Sequence, residues 1–192
     1  MIVSVIGGGW SLKGLQLHNA PGHVIGVNDA GVLLDVDQIV SMDRLWTESR
    51  WSELCRLRKK TWLRQNCLLN IDEHPPWLHI YDNERIPEMS STGLNGTNSG
   101  MVAINLAWYM KPKKVYLFGF DMCRSPSGES YWYPPYPWAP QGGTKPGKYK
   151  EWAKEFDPIA DAFRASGIEI VNASLVSAIP SFKKEDPACI LR

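Results

Sequence analysis

The sequence predicts an α/β fold: a single Rossmann-like domain over residues 1–192, with a mostly parallel sheet carrying helices on both faces. Short apolar runs alternate with helical stretches along the chain, which implies βαβ crossovers. Two runs, Ile2 to Ile6 (apolar but for Ser4) and Val115 to Phe120, are apolar and end in glycine or polar residues, as central strands buried on both faces do. No internal repeat or low-complexity linker divides the 192 residues, and a hydrophobic content of 44% suffices for a sizeable core.

Taken in order, "MIVSVIGGGWSLKG" is a strand running into Gly7, Gly8 and Gly9 and then the hydroxyl of Ser11. A dinucleotide fingerprint needs a third glycine where this chain has Leu12, so hydride chemistry ranks low. A turn that lets backbone approach a ligand remains. "HVIGVND" (His23 to Asp29) and "QIVSMD" (Gln38 to Asp43) read as strands ending in polar residues. "RLWTESRWSELCRLRKK" (Arg44 to Lys60) repeats apolar residues at helical spacing, and the basic cluster "RKKTWLR" reads as its solvated end. "TWLRQNC" and "WLHIYD" are further strands, the second fenced by Pro75 and Pro76.

The densest signal is "GTNSGMVAINLAWYMKPKKVYLFGFDM", Gly96 to Met122. Asn98 and Ser99 are N-cap residues for an apolar helix from Met101 to Met110, which Lys111 to Lys114 terminates. Val115 to Phe120 is then expected beside Ile2 to Ile6 at the sheet centre, with Asp121 at its carboxyl end. Ligands of open α/β sheets bind outside the carboxyl ends of strands, so Gly9 to Ser11, Asn28, Asp43, Asn98 to Gly100 and Asp121 share one rim.

A net charge of +1 leaves no electrostatic footprint for nucleic acid or an anionic membrane, and no run approaches a membrane span. Four scattered cysteines lack zinc-ligand spacing and read as free thiols of a cytoplasmic protein without a secretory segment. The acidic pair at Asp35 to Asp37 precedes a strand and reads as a solvated turn, so no metal is expected.

The ordered set of motifs resembles the bacterial Rossmann-type sialyltransferases that use CMP-sialic acid, and is similar to hydroxymethylpterin-diphosphokinase-like proteins. The closing "IEIVNASLVSAIPSF" (Ile168 to Phe182) continues the pattern, so the resemblance spans most of the chain. It implies a nucleotide or CMP-type nucleotide-sugar ligand, with no obligatory cofactor. Gly8, Gly9 and Ser11 would lie near the phosphates, Asn28 near ribose or phosphate, and Asn98, Ser99 and Gly100 at the helix start facing the pyrophosphate. Asp121 and Met122 would lie beside the nucleoside, and the last strand would deliver Asn172 and Ser174.

One departure is plain: the family's histidine base follows the central strand, whereas His18, His23, His74 and His79 all precede residue 80. The corresponding region, 123–148, is rich in Pro, Gly, Tyr and Trp. It reads either as a lid whose Tyr131, Trp132 or Tyr133 covers a nucleotide, hinged at Gly142, Gly143 and Gly147, or as an arm packing against a second subunit in a homo-oligomer. Asp121, Tyr131 and Tyr133 are the catalytic candidates, with Glu129 and Asp43 beside them, and Lys145, Lys148 and Lys150 are candidates for neutralising a leaving diphosphate. Three uses follow: a glycosyl- or diphosphotransferase, a nucleotide-binding module without catalysis, or an assembly protein.

Overall fold

The computed structural model describes residues 1–67, 74–138 and 144–192. Strands β1 (Ile2–Ile6), β2 (His23–Val27), β3 (Gln38–Ser41), β4 (Lys60–Arg64), β5 (Leu78–Tyr81), β6 (Lys114–Phe118), β7 (Glu169–Asn172) and β8 (Lys183–Lys184) form one sheet. Its order is β5-β4-β3-β2-β1-β6-β7-β8, and every pair is parallel. β1 sits between β2 and β6, with Val5 opposite both Ile25 and Leu117. The expected central pair is therefore present. The chain builds outward from β1 to β5, then returns to the other side of β1, so the strand order reverses between β1 and β6. Parallel sheets open a crevice at such a reversal.

Helices α1 (Asp29–Leu33), α2 (Arg44–Leu57), α3 (Ser99–Tyr109), α4 (Pro146–Lys154), α5 (Asp157–Ala165) and α6 (Pro187–Ile190) cover both faces. Val3, Val5, Ile25, Val27, Val115 and Leu117 pack with α3 and α5 on one face. Ile6 and Phe118 point the other way, toward Leu12, Ala30 and Leu191. Further along that second face, Ile39 and Leu63 pack on Trp46 and Leu54 of α2. The alternation along each strand separates the two layers.

Helix α3 is apolar nearly all round because it has little solvent-facing surface; Met101 to Ala107 are all buried. Asn98 caps it, Oδ1 accepting from the Met101 amide at 3.1 Å, and the Met42 amide donates to Ser99 Oγ at 3.1 Å. The helix start is thus tied to the loop after β3. Helix α1 lies close on the sheet through paired glycines: a Cβ on Gly26 would stand 2.5 Å from Gly31 Cα, and one on Gly31 2.6 Å from Ile39 Cγ2.

Several boundaries differ from expectation. β6 stops at Phe118 because Gly119 takes φ 69° and turns the chain. α2 ends at Leu57 with Arg58 left-handed at φ 51°, so "RKKTWLR" passes from the helix cap through β4 instead of forming a solvated helix end. β8 is a two-lysine edge strand that carries no apolar pattern. The lid-like segment ends in α4, which removes Gly147 from the expected hinge; Gly142 and Gly143 lie outside the described residues. No helix among the described residues is long and apolar enough to cross a membrane.

Candidate functional site

A cleft of about 520 Å³ opens at the reversal of strand order. Its floor is the glycine turn after β1 and Gly119 to Met122 after β6; one side is the start of α3 and the other the aromatic segment 130–138. Gly8, Gly9, Asn28, Asn98, Ser99, Gly100, Asp121, Met122, Tyr131 and Tyr133 all border it. Ser11, Asn172 and Ser174 do not.

The glycine turn continues the sheet, with the Gly7 amide donating to the Phe118 carbonyl at 2.8 Å and the Gly9 amide to the Gly119 carbonyl at 3.0 Å. Its glycines are required for contacts within the protein. A Cβ on Gly9 would stand 2.5 Å from both Asp121 Oδ2 and the Gly119 carbonyl oxygen, and one on Gly8 2.6 Å from the Tyr133 hydroxyl. On Gly100 it would meet Phe120 at 2.9 Å.

Asp121 is buried and already engaged. Oδ1 accepts from Ser11 Oγ at 2.6 Å and Ser174 Oγ at 2.7 Å, and Oδ2 accepts from the Ser11 amide at 2.9 Å. Charge-assisted bonds of this length fasten the turn after β1 to the ends of β6 and β7. Asp121, expected as an acid or base, therefore holds the site in shape. Ser11 and Ser174 are its partners and do not border the cleft. Asn172 is likewise inward-facing, its Nδ2 donating to the Phe120 carbonyl at 3.1 Å and to Ser177 Oγ at 2.9 Å.

The aromatic segment is docked on the glycine turn. Tyr131 forms an isolated antiparallel bridge with Gly9, the Trp132 amide donates to the Gly8 carbonyl at 3.2 Å, and the Trp132 indole donates to the Gly7 carbonyl at 3.2 Å. Side chains alternate about this bridge. Trp132 points into the core with Ile6 and Phe118, so it anchors the segment and covers nothing. Tyr131 and Tyr133 stack at 5.4 Å and 9°, Tyr136 and Trp138 at 5.0 Å and 5°, and together they wall the cleft.

Burial pushes the phenols of Tyr131, Tyr133 and Tyr136 upward, because a phenolate would be poorly solvated there. The raised phenols are weaker acids, and the phenolate that a base role for Tyr131 or Tyr133 would need is disfavoured. They remain neutral hydrogen-bonding and stacking groups. Tyr81 is raised for the same reason. Folding that favours neutral phenols contributes stability below their unfolded value near 10, which is lost as alkali ionises them. In an alkaline titration followed by phenolate absorbance, Tyr81, Tyr133 and Tyr136 should ionise only with unfolding. Smooth titration of all seven tyrosines in folded protein would contradict this wall.

Neither Glu129 nor the expected lysines border the cleft. Glu129 pairs with Lys13 at the surface, and Lys148 with Glu151. No histidine borders it among the described residues. The cationic groups that do are Arg44, Arg64 and Arg85, after β3, at the end of β4 and after β5. Each stands within four residues of a strand's carboxyl end, a signal that was available in the sequence. Three buried polar atoms of bordering residues also lack a hydrogen-bond partner among the described residues: Asn28 Oδ1, Asn98 Nδ2 and Ser130 Oγ. Asn28 holds φ 52°, an uncommon conformation for a residue with a side chain.

The chain matches no protein-family model and no curated protein sequence. Among solved structures it is similar to the MAf glycosyltransferase from Magnetospirillum magneticum AMB-1, with a TM-score of 0.60 and 13% identity over 97% of this chain. It spans 34% of the length of that protein. It is also similar to the sialyltransferase CstII from Campylobacter jejuni, solved with the substrate analogue CMP-3FNeuAc, with a TM-score of 0.56 and 15% identity over 98% of this chain and 87% of that one. The fold is shared with these glycosyltransferases.

Proposed function

We propose that the cleft binds a nucleotide sugar of CMP type and that the protein is a nucleotide-dependent glycosyltransferase. The observation that carries this reading is the set of unpartnered atoms, Asn28 Oδ1, Asn98 Nδ2 and Ser130 Oγ, on residues bordering one cleft. Leaving a buried polar group unsatisfied costs about 1–3 kcal/mol, so a fold that keeps three beside a cleft is suited to a ligand with matching donors and acceptors. The first amides of α3, which have no intrahelical partner, suit a phosphate, and the tyrosine faces suit a base or sugar ring. The shared fold supports the same reading.

Transfer needs the leaving nucleotide phosphate stabilised and the acceptor hydroxyl relieved of its proton. The start of α3 serves the first need. For the second, Asp43 is the bordering carboxylate with an oxygen to spare: Oδ1 caps α2 by accepting from the Trp46 amide at 3.1 Å, and Oδ2 has no partner among the described residues. A second reading, a nucleotide-binding module without catalysis, is favoured by the engaged state of Asp121 and the raised tyrosines.

A thermal-shift series with CMP, CDP, UDP, GDP, ATP and NAD tests the ligand. At a hundredfold excess over Kd, binding to the native state adds roughly 2.7 kcal/mol. At about 2–4 °C per kcal/mol for a chain of this size, CMP should raise Tm by roughly 5–10 °C and NAD not at all. No shift with any nucleotide would overturn the reading. Binding without consumption of a CMP-sugar donor would favour the module.

A further inference from the structure

We infer that the β3–β5 flank of the cleft is an acceptor subsite, and that the acceptor carries an anionic group, a carboxylate or phosphate, held by Arg64 and Arg85. This rests on the nucleotide-sugar reading, which places the donor at the glycine turn and the start of α3.

The argument starts from sheet order. Gly7 to Gly9 follow β1, whereas Arg64 ends β4 and Arg85 follows β5, three and four strands away. At about 4.8 Å per strand, the ends of β4 and β5 lie roughly 14 and 19 Å from the glycine turn. A single phosphate at that turn does not account for both guanidinium groups. They border the same cleft from its far end.

Their pairing state points the same way. Arg44 on this flank is matched with Glu48. Neither Arg64 nor Arg85 has a carboxylate partner among the described residues. Arg64 is oriented instead by a neutral one, its Nε donating to Asn66 Oδ1, and its terminal nitrogens have no partner among the described residues. A planar guanidinium fork matches a carboxylate or phosphate in bidentate geometry.

An independent feature identifies what the anion is attached to. Tyr136 and Trp138, stacked with their planes parallel within 5°, border the cleft and pack on the hydrophobic cluster beneath β3 to β5. An aromatic stack that borders the same cleft as two guanidinium groups suits a sugar ring with an acidic substituent.

The test uses one hexose in three forms, glucose, glucuronate and glucose 6-phosphate, titrated by calorimetry and saturation-transfer NMR into protein saturated with CMP. At least one anionic sugar should bind tenfold or more tighter than glucose, and the pair distinguishes a carboxylate from a phosphate source. Arg64→Gln/Arg85→Gln should erase that preference while leaving the Kd for CMP within twofold, and Arg64→Lys/Arg85→Lys should restore part of it. The preference should shrink as salt rises to physiological strength. Equal binding of all three sugars to CMP-loaded protein would overturn the subsite alone. Loss of CMP affinity in the glutamine variant would overturn it by assigning the arginines to the nucleotide. If no nucleotide binds the wild-type protein, the underlying reading fails, and the subsite with it.

Discussion

Gly9→Val is expected to abolish nucleotide binding and to destabilise the fold by on the order of 3 kcal/mol, the upper range for forcing extra methyl groups into a packed site. The cause is space alone, since Gly9 has φ −59°, which any residue adopts. Its Cβ would stand 2.5 Å from Asp121 Oδ2 and 2.5 Å from the carbonyl oxygen of Gly119. That carbonyl is backbone, and it accepts the Gly9 amide itself, so it cannot move aside without breaking the hydrogen bond that ties the glycine turn to the end of β6. Gly8→Ala provides the contrast. Its nearest obstacle is the Tyr133 hydroxyl, the far end of a side chain, so the aromatic wall should shift while the sheet holds. Denaturant unfolding and calorimetry with CMP should show Gly9→Val losing both stability and affinity. Gly8→Ala should lose affinity with stability within about 1 kcal/mol. A Gly9→Val protein of wild-type stability and affinity would remove the glycine turn from the site.

Much of the fold was legible because burial on both faces leaves a mark on sequence. Ile2 to Ile6, the run from Val115 and α3 are apolar almost throughout because each is enclosed by other elements, and the interior exceptions, Ser4 and Asn105, are buried with hydrogen-bond partners. The cap at Asn98 was readable because its chemistry is local. The site was legible only where backbone position decides it: Gly8, Gly9, Asn28 and Asn98 to Gly100 sit on the cleft because strand ends and helix starts do. Direction was not legible. Asn172 and Ser174 follow the rim yet turn inward to Phe120, Ser177 and Asp121, and a strand end does not reveal which way its last side chains point. Trp132 was indistinguishable from its tyrosine neighbours until the bridge to Gly9 set the alternation. Arg64 was obscured by its place in a basic run, of which only that last residue reaches the rim.

Asp121 carries the other large expected effect, and its variants separate a chemical role from an architectural one. Asp121→Ala would leave three donors, the Ser11 amide and the hydroxyls of Ser11 and Ser174, without their shared acceptor in a site that is buried. At about 1.5–3 kcal/mol for a bond to a charged group, with partial recovery by rotating the hydroxyls, a loss of roughly 3–5 kcal/mol is expected. Asp121→Asn is nearly isosteric and should lose less. Its carbonyl can keep the Ser11 amide, whose hydrogen has one direction, and its NH2 can face the two hydroxyls, which can turn to accept. Those hydroxyls then surrender the bonds they donated, so about 1–3 kcal/mol should still disappear, together with CMP affinity, because the clamp joins the glycine turn to β6 and β7. Stability and CMP affinity should therefore fall together in the order wild type, Asn, Ala. A proton-transfer residue behaves differently. There Asn would suppress turnover of a CMP-sugar donor while leaving unfolding and the Kd for CMP unchanged, and that result would return Asp121 to the chemistry and displace Asp43.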